Sequence, residues 1–148
     1  MIFPAIFVTS AEEETRAAGR ALGAELRPGD VVGLTGVLGV GKTVFVRGIA
    51  EGLGGDPDEV ASPTFALLHE YDCPAAGLVH LDLYRLPDDE RELRELGLPE
   101  LLAGKVAAVE WPGRSAARVL RIGFRVSLEA EDASRRRILV ERAEPGAR

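Results

Sequence analysis

The stretch Asp30-Val31-Val32-Gly33-Leu34-Thr35-Gly36-Val37-Leu38-Gly39-Val40-Gly41-Lys42-Thr43-Val44-Phe45 decides how this chain folds. Its first six residues read as a short buried strand. Val44, Phe45, Ile49 and Leu53 then recur at helical spacing until Gly54-Gly55 stop the helix. Between strand and helix, residues 36–43 fit G-x-x-x-x-G-K-[ST], the pattern of a phosphate-binding loop. Glycines let the backbone turn tightly, so that the N–H groups of Leu38, Gly39, Val40, Gly41, Lys42 and Thr43 face phosphate oxygens at the positive end of a helix. Lys42 adds a mobile positive charge for the outer phosphates, and Thr43 offers a hydroxyl oxygen to Mg²⁺. A nucleoside triphosphate is the expected ligand.

Outward from the loop, strand and helix signals alternate. Ser10-Ala11-Glu12-Glu13 has the form of a capping box, opening a helix to about Leu26 with Ala17, Ala21 and Leu22 on one face, stopped by Pro28-Gly29. Strands are expected over 65–71, 78–83 and 106–111, a turn over 72–77 and a short charged helix over 88–96. Residues 121–128 and 137–140 alternate well enough to pair antiparallel at the end of the chain. The expected fold class is α/β: a three-layer domain like the P-loop NTPases, with a mainly parallel sheet and a C-terminal antiparallel strand pair.

Length and charge limit what else the chain does. At 148 residues and 46% hydrophobic composition, one compact domain over residues 1–148 is expected, without room for a separate substrate domain. The formal net charge of −6 argues against direct wrapping of nucleic acid, and the only tight basic run, Arg135-Arg136-Arg137, reads as a solvated strand or loop edge. One cysteine, Cys73, excludes an internal disulfide, and no Cys/His spacing suggests zinc. Residues 1–8 lack a basic start and run into Glu12-Glu13-Glu14, a poor signal peptide, and no apolar stretch is long enough to span a bilayer. The cytoplasm is the expected compartment.

A nucleotide hydrolase also needs a carboxylate near its metal. Leu78-Val79-His80-Leu81-Asp82 and Val106-Ala107-Ala108-Val109-Glu110 are apolar runs that each end in an acid. At the carboxyl edge of a parallel strand such an acid lies on the rim that carries the phosphate loop, where it holds Mg²⁺ or its waters, or orients an attacking water. A plain strand-end acid is the competing reading for each alone. On a strand over 78–83, His80 shares a face with Asp82. Trp111 reads equally as a stacking or partner-contacting ring and as a packing residue. Tyr84 and Arg85 read as phosphate or partner contacts, or, for Arg85, as a surface partner of Asp88 or Asp89.

The loop, then Ser62-Pro63-Thr64-Phe65, then His80-Leu81-Asp82-Leu83-Tyr84-Arg85-Leu86, then Glu110-Trp111-Pro112, in that order and spacing, resembles the bacterial TsaE (YjeE) family of small ATPases. The resemblance covers about residues 10–114 and is looser in the tail. It implies an ATPase acting with TsaB and TsaD to make threonylcarbamoyladenosine beside the anticodon of tRNAs reading codons that begin with A. ATP and Mg²⁺ are the implied cofactors, with tRNA handled only indirectly and no membrane involved. Thr43 and Glu110 match the family's metal-binding positions, and Asp82 matches a second acidic position important for turnover. Lys42, Asp82 and Glu110 are thus the candidate catalytic residues. Residues 62–65 match a mobile, switch-like segment near the outer phosphate, which adds Thr64 to the candidate nucleotide-binding residues. Val37 departs from the family, which usually has Asp there, and Val40 and Val44 stand where Ala and Thr are common.

Two other function classes compete. A small-molecule kinase would use the same loop and acids, but no lid or acceptor pocket is visible in so short a chain. A GTPase would carry an N-K-x-D base-reading sequence, which is absent.

Overall fold

The computed structural model describes residues 1–37, 39–60 and 68–143. Leu38 and residues 62–65, Thr64 among them, lie outside the described residues. In chain order the elements are β1 (Ala5–Thr9), α1 (Glu12–Gly23), β2 (Val31–Thr35), α2 (Lys42–Gly52), a 3-10 turn (Pro57–Glu59), β3 (Leu68–Asp72) and β4 (Gly77–Asp82). There follow α3 (Glu90–Glu95), α4 (Leu98–Leu102), β5 (Val106–Glu110), α5 (Arg114–Val119), β6 (Phe124–Ala130) and β7 (Arg136–Arg142).

The strands form one seven-stranded sheet in the order β1-β7-β6-β2-β5-β4-β3. Its centre, β6-β2-β5-β4, is parallel throughout, while β3, β7 and β1 join antiparallel at the two sides. Central strands are buried on both faces and read as nearly continuous apolar runs, whereas β6 and β7 alternate. One face carries Val32, Leu34, Leu78, Val106, Ala108 and Val126 against α1 and α2. The other carries Val31, Val79, Leu81, Ala107 and Val109 against Leu93, Leu98, Leu102, Ala116 and Val119 of the later helices. This is the expected α/β/α layering.

Several local expectations change. No capping box forms at Ser10: the N-cap of α1 is Ala11, without a side-chain cap. The start of α1 is instead favoured by Glu12, Glu13 and Glu14 at the positive end of the helix dipole. It is also tied to β1 by a buried 2.8 Å hydrogen bond between the Thr9 and Thr15 hydroxyls. The helix ends at Gly23, because Glu25 and Leu26 switch to tighter three-residue bonds onto Leu22 and Gly23 and fold Leu26 into the core. The buried face of α1 is Thr15, Ala18, Gly19, Leu22 and Gly23; Ala17 is half-buried and Ala21 exposed. The reason is contact with α2 through glycine on both helices. A Cβ on Gly19 would lie 2.1 Å from the Phe45 carbonyl oxygen, and one on Gly48 would lie 2.1 Å from the Arg16 carbonyl oxygen.

β6 begins later than expected because Arg121 takes a positive φ of 56° in the turn that closes α5. The expected strand over 65–71 is seen as Leu68–Asp72, its first residues lying outside those described. β1, α4 and α5 were not anticipated.

Candidate nucleotide site

The site is built where β2, β4 and β5 end. Parallel register sets Leu34 beside Glu110 and Asp82 beside Glu110, so both candidate acids stand at the same carboxyl rim from which residues 36–43 leave β2. Gly41, at φ 112°, is the N-cap of α2, a conformation costly for any residue with a Cβ. At Gly36 a Cβ would lie 2.7 Å from the Leu128 carbonyl oxygen, so this turn also requires glycine.

Lys42 opens α2 and is buried, with 4% of its surface exposed. Its ammonium donates to the Gly36 carbonyl oxygen at 2.5 Å and lies 3.5 Å from the centroid of the Trp111 ring. Burial pushes the Lys42 pKa below its ordinary value, opposed by the carboxylates of Glu110 and then Asp82. The structure therefore brings Lys42, Asp82 and Glu110 into one electrostatic cluster. Thr43, the next residue of α2, is half-buried.

Glu110 is buried, and its Oε2 lies 2.5 Å from His80 Nε2. Asp82 is half-buried and accepts the Tyr84 backbone N–H at 2.9 Å, which turns the chain at the end of β4. Trp111 adopts φ 59° and hydrogen-bonds through its backbone N–H to the Leu34 carbonyl. Its ring meets that of Tyr84 at 5.1 Å, and Tyr84 is exposed. Trp111 is thus neither a core residue nor a free ring: it forms an aromatic wall beside the Lys42 ammonium. Arg85 forms no ion pair with Asp88 or Asp89 among the described residues, because those carboxylates cap helices. Asp88 accepts from Ser115 and Ala116 at the start of α5, and Asp89 accepts from Glu92 in α3.

Sequence reading missed a second part of the site. A cavity of about 260 Å³ adjoins the loop, lined among others by Thr9, Glu12, Gly41, Val44, Ser134 and Arg136. Arg136 is only partly exposed; its Nε donates to the Val40 carbonyl at 3.3 Å, which ties the β6–β7 hairpin to the loop. Within the basic run Arg137 instead stands across from Glu129 and Arg136 across from Ala130, and elsewhere on the same hairpin Arg125 stands across from Glu141. The signal available was Arg136 itself, but contact with the loop requires the pairing of strands distant in sequence.

Among the described residues no group of three or more His, Cys, Asp or Glu gathers as a metal cage. Mg²⁺ commonly takes one or two protein oxygens and completes its shell with phosphate and water. The oxygen donors at Thr43 and Glu110, beside a loop suited to phosphate, fit that chemistry. Among the described residues no helix is long and apolar enough to cross a membrane.

A mainly parallel sheet with a glycine-rich loop running from a central strand into a buried lysine at the head of a helix is the arrangement of a P-loop NTPase-like fold. Within it, the family model described as threonylcarbamoyl adenosine biosynthesis protein TsaE matches residues 9–138, and the chain belongs to that family. It is 44% identical over 104 residues to the tRNA threonylcarbamoyladenosine biosynthesis protein TsaE of Rickettsia bellii, spanning 70% of this chain and 72% of the relative. With the protein of the same name from Bacillus subtilis it shares 46% identity over 100 residues, 67% of this chain and 61% of the relative. The crystal structure of Bacillus subtilis YdiB is similar with a TM-score of 0.69 and 28% identity, covering 97% of this chain and 88% of that one.

Proposed function

We propose that this chain binds and hydrolyses ATP with Mg²⁺ as a component of tRNA threonylcarbamoyladenosine biosynthesis, working with TsaB and TsaD. Family membership supports the pathway, and the clustering of Lys42, Asp82 and Glu110 at the rim that carries the loop supports the chemistry. In this reading the backbone of residues 38–43 cradles the phosphates and Lys42 turns from Gly36 and Trp111 toward them. The cavity beside Arg136 and Thr9 takes the nucleoside end; at about 260 Å³ it is sized for part of a ligand rather than all of it. Thr43 and Glu110 would hold the cation, which when bound neutralises charge on the outer phosphates. Asp82 orients the attacking water from the end of β4. ATP is preferred to GTP on the strength of the resemblance and of the missing guanine-reading sequence. Interleaved charges on β6 and β7 and the net charge of −6 support leaving tRNA to the partners.

The test is phosphate release from ATP by the purified chain, alone and with TsaB and TsaD, against transfer to a panel of nucleosides and metabolites. Transfer to water supports the ATPase. Stoichiometric phosphorylation of an acceptor would replace it with a kinase.

A further inference from the structure

Among the described residues, His80 is the one fully buried titratable side chain to which the proposed function gives no role. It stands in the centre of β4, between Val79 and Leu81, with none of its surface exposed. An imidazole in such a strand costs desolvation that a Leu or Val would avoid. Its Nδ1 has no hydrogen-bond partner among the described residues, so packing alone gives no reason for the ring. Its only polar contact among those residues is with Glu110, Nε2 to Oε2 at 2.5 Å. The register explains the reach: on β5 His80 pairs with Ala108 and Asp82 with Glu110, so Glu110 lies diagonally across from His80 on the same face past a small residue, while on β3 the ring's direct neighbour is His69.

We infer that His80 is a positioning residue: its Nε2–H holds Oε2 of Glu110 and thereby presents Oε1 to the cation of a bound nucleotide. An ionised carboxylate only accepts, so the shared hydrogen belongs to the imidazole. Among the described residues no other hydrogen bond holds the Glu110 carboxylate, whose charge acts on the Lys42 ammonium nearby. Hydrogen-bonded partners of metal-holding side chains typically change metal affinity 10–100-fold when removed. This inference rests on the assignment of Glu110 as a metal-holding residue.

The experiment is Mn²⁺ binding to the protein–ADP complex by electron paramagnetic resonance, paired with calorimetric ADP affinity in EDTA. His80→Leu should weaken Mn²⁺ binding roughly 10–100-fold and leave metal-free ADP affinity unchanged. His80→Gln, whose amide reaches Glu110, should recover most of it. Should His80→Leu not fold, His80→Asn, with an amide too short to reach, takes its place. Wild-type Mn²⁺ affinity in His80→Leu or His80→Asn overturns the inference, as does a loss in His80→Gln as deep as in His80→Leu, or an equal loss in EDTA. Glu110→Gln separates the two levels. If it binds Mn²⁺ like the wild type, the metal assignment fails; if it loses Mn²⁺ while the His80 variants do not, only the role of His80 fails.

Discussion

Replacing Gly48 by Ala tests whether the helix pair α1/α2 sets the position of the phosphate loop. The added Cβ would stand 2.1 Å from the Arg16 carbonyl oxygen, 2.8 Å from the Arg20 nitrogen and 2.9 Å from Gly19 Cα, all backbone atoms. No rotamer relieves that overlap, so the helices must part by about 1 Å to restore ordinary contact. Overpacking of this kind costs about 1–3 kcal/mol, and the rigid neighbours here place it at the upper end. Alanine returns about 1 kcal/mol of helix propensity, leaving a net loss near 2 kcal/mol, or a fall in Tm of roughly 4–8 °C for a chain of this size. Because α2 begins at Lys42, its displacement should also weaken ADP binding several-fold. Thermal melting followed by circular dichroism, with calorimetric ADP titration of the folded variant, measures both. Unchanged melting and unchanged affinity in Gly48→Ala would refute this packing argument.

Glu110→Gln should reduce Mg²⁺-dependent turnover at least tenfold with little loss of fold, while Asp82→Asn lowers turnover but keeps its metal dependence; the opposite pattern in a Mg²⁺ titration reverses the two roles. Stability at alkaline pH should carry two opposed slopes. The Lys42 pKa is depressed by burial, so its contribution is present above the ordinary value of 10.5 and lost as pH falls through the folded value. The Cys73 pKa is raised, by burial and then by Glu59 and Asp72, so its contribution is present below 9.0 and lost as pH rises through the folded value. Urea denaturation across that range should show the wild-type stability rising with pH relative to Lys42→Met and falling relative to Cys73→Ala; parallel profiles contradict both. Association with TsaB and TsaD should differ between an ATP analogue, ADP and no nucleotide, as read by size exclusion, whereas equal affinity in all three removes the nucleotide switch. In the same samples, tight salt-sensitive tRNA binding by the chain alone would restore direct tRNA contact.

The centre of the fold was legible because there the signals are local and redundant. Val31 to Leu34 are uniformly buried between layers, the glycines mark a turn with positive φ, and Phe45, Ile49 and Leu53 repeat at helical spacing. The apolar runs ending in Asp82 and Glu110 likewise read directly as strands with an acid at the rim. What was missed depends on partners distant in sequence. Met1 to Val8 read as a failed signal peptide, although Ala5 and Phe7 alternate with exposed Ile6 and Val8; β1 exists because β7 offers it an edge. Of Ala17, Ala21 and Leu22, read as one face of α1, only Leu22 is fully buried; nothing local shows that Gly19 and Gly23 meet Phe45 and Ile49. Arg136 read as solvated for the same reason: its contact with Val40 spans 96 residues.

Calorimetric titration of Mg²⁺ and a non-hydrolysable ATP analogue into the wild type and Lys42→Ala is the most direct test that residues 36–43 bind a nucleoside triphosphate. Hydrogen bonds to charged groups contribute about 1.5–3 kcal/mol, which sets an upper range of roughly 10–150-fold for the loss of affinity. Lys42 must first leave the Gly36 carbonyl and the Trp111 ring, so the measured loss should fall toward the lower part of that range. One-to-one binding in the wild type, weakened at least tenfold in a folded Lys42→Ala, is the expected result. Equal affinity in the two proteins, or no binding to the wild type, would contradict the assignment.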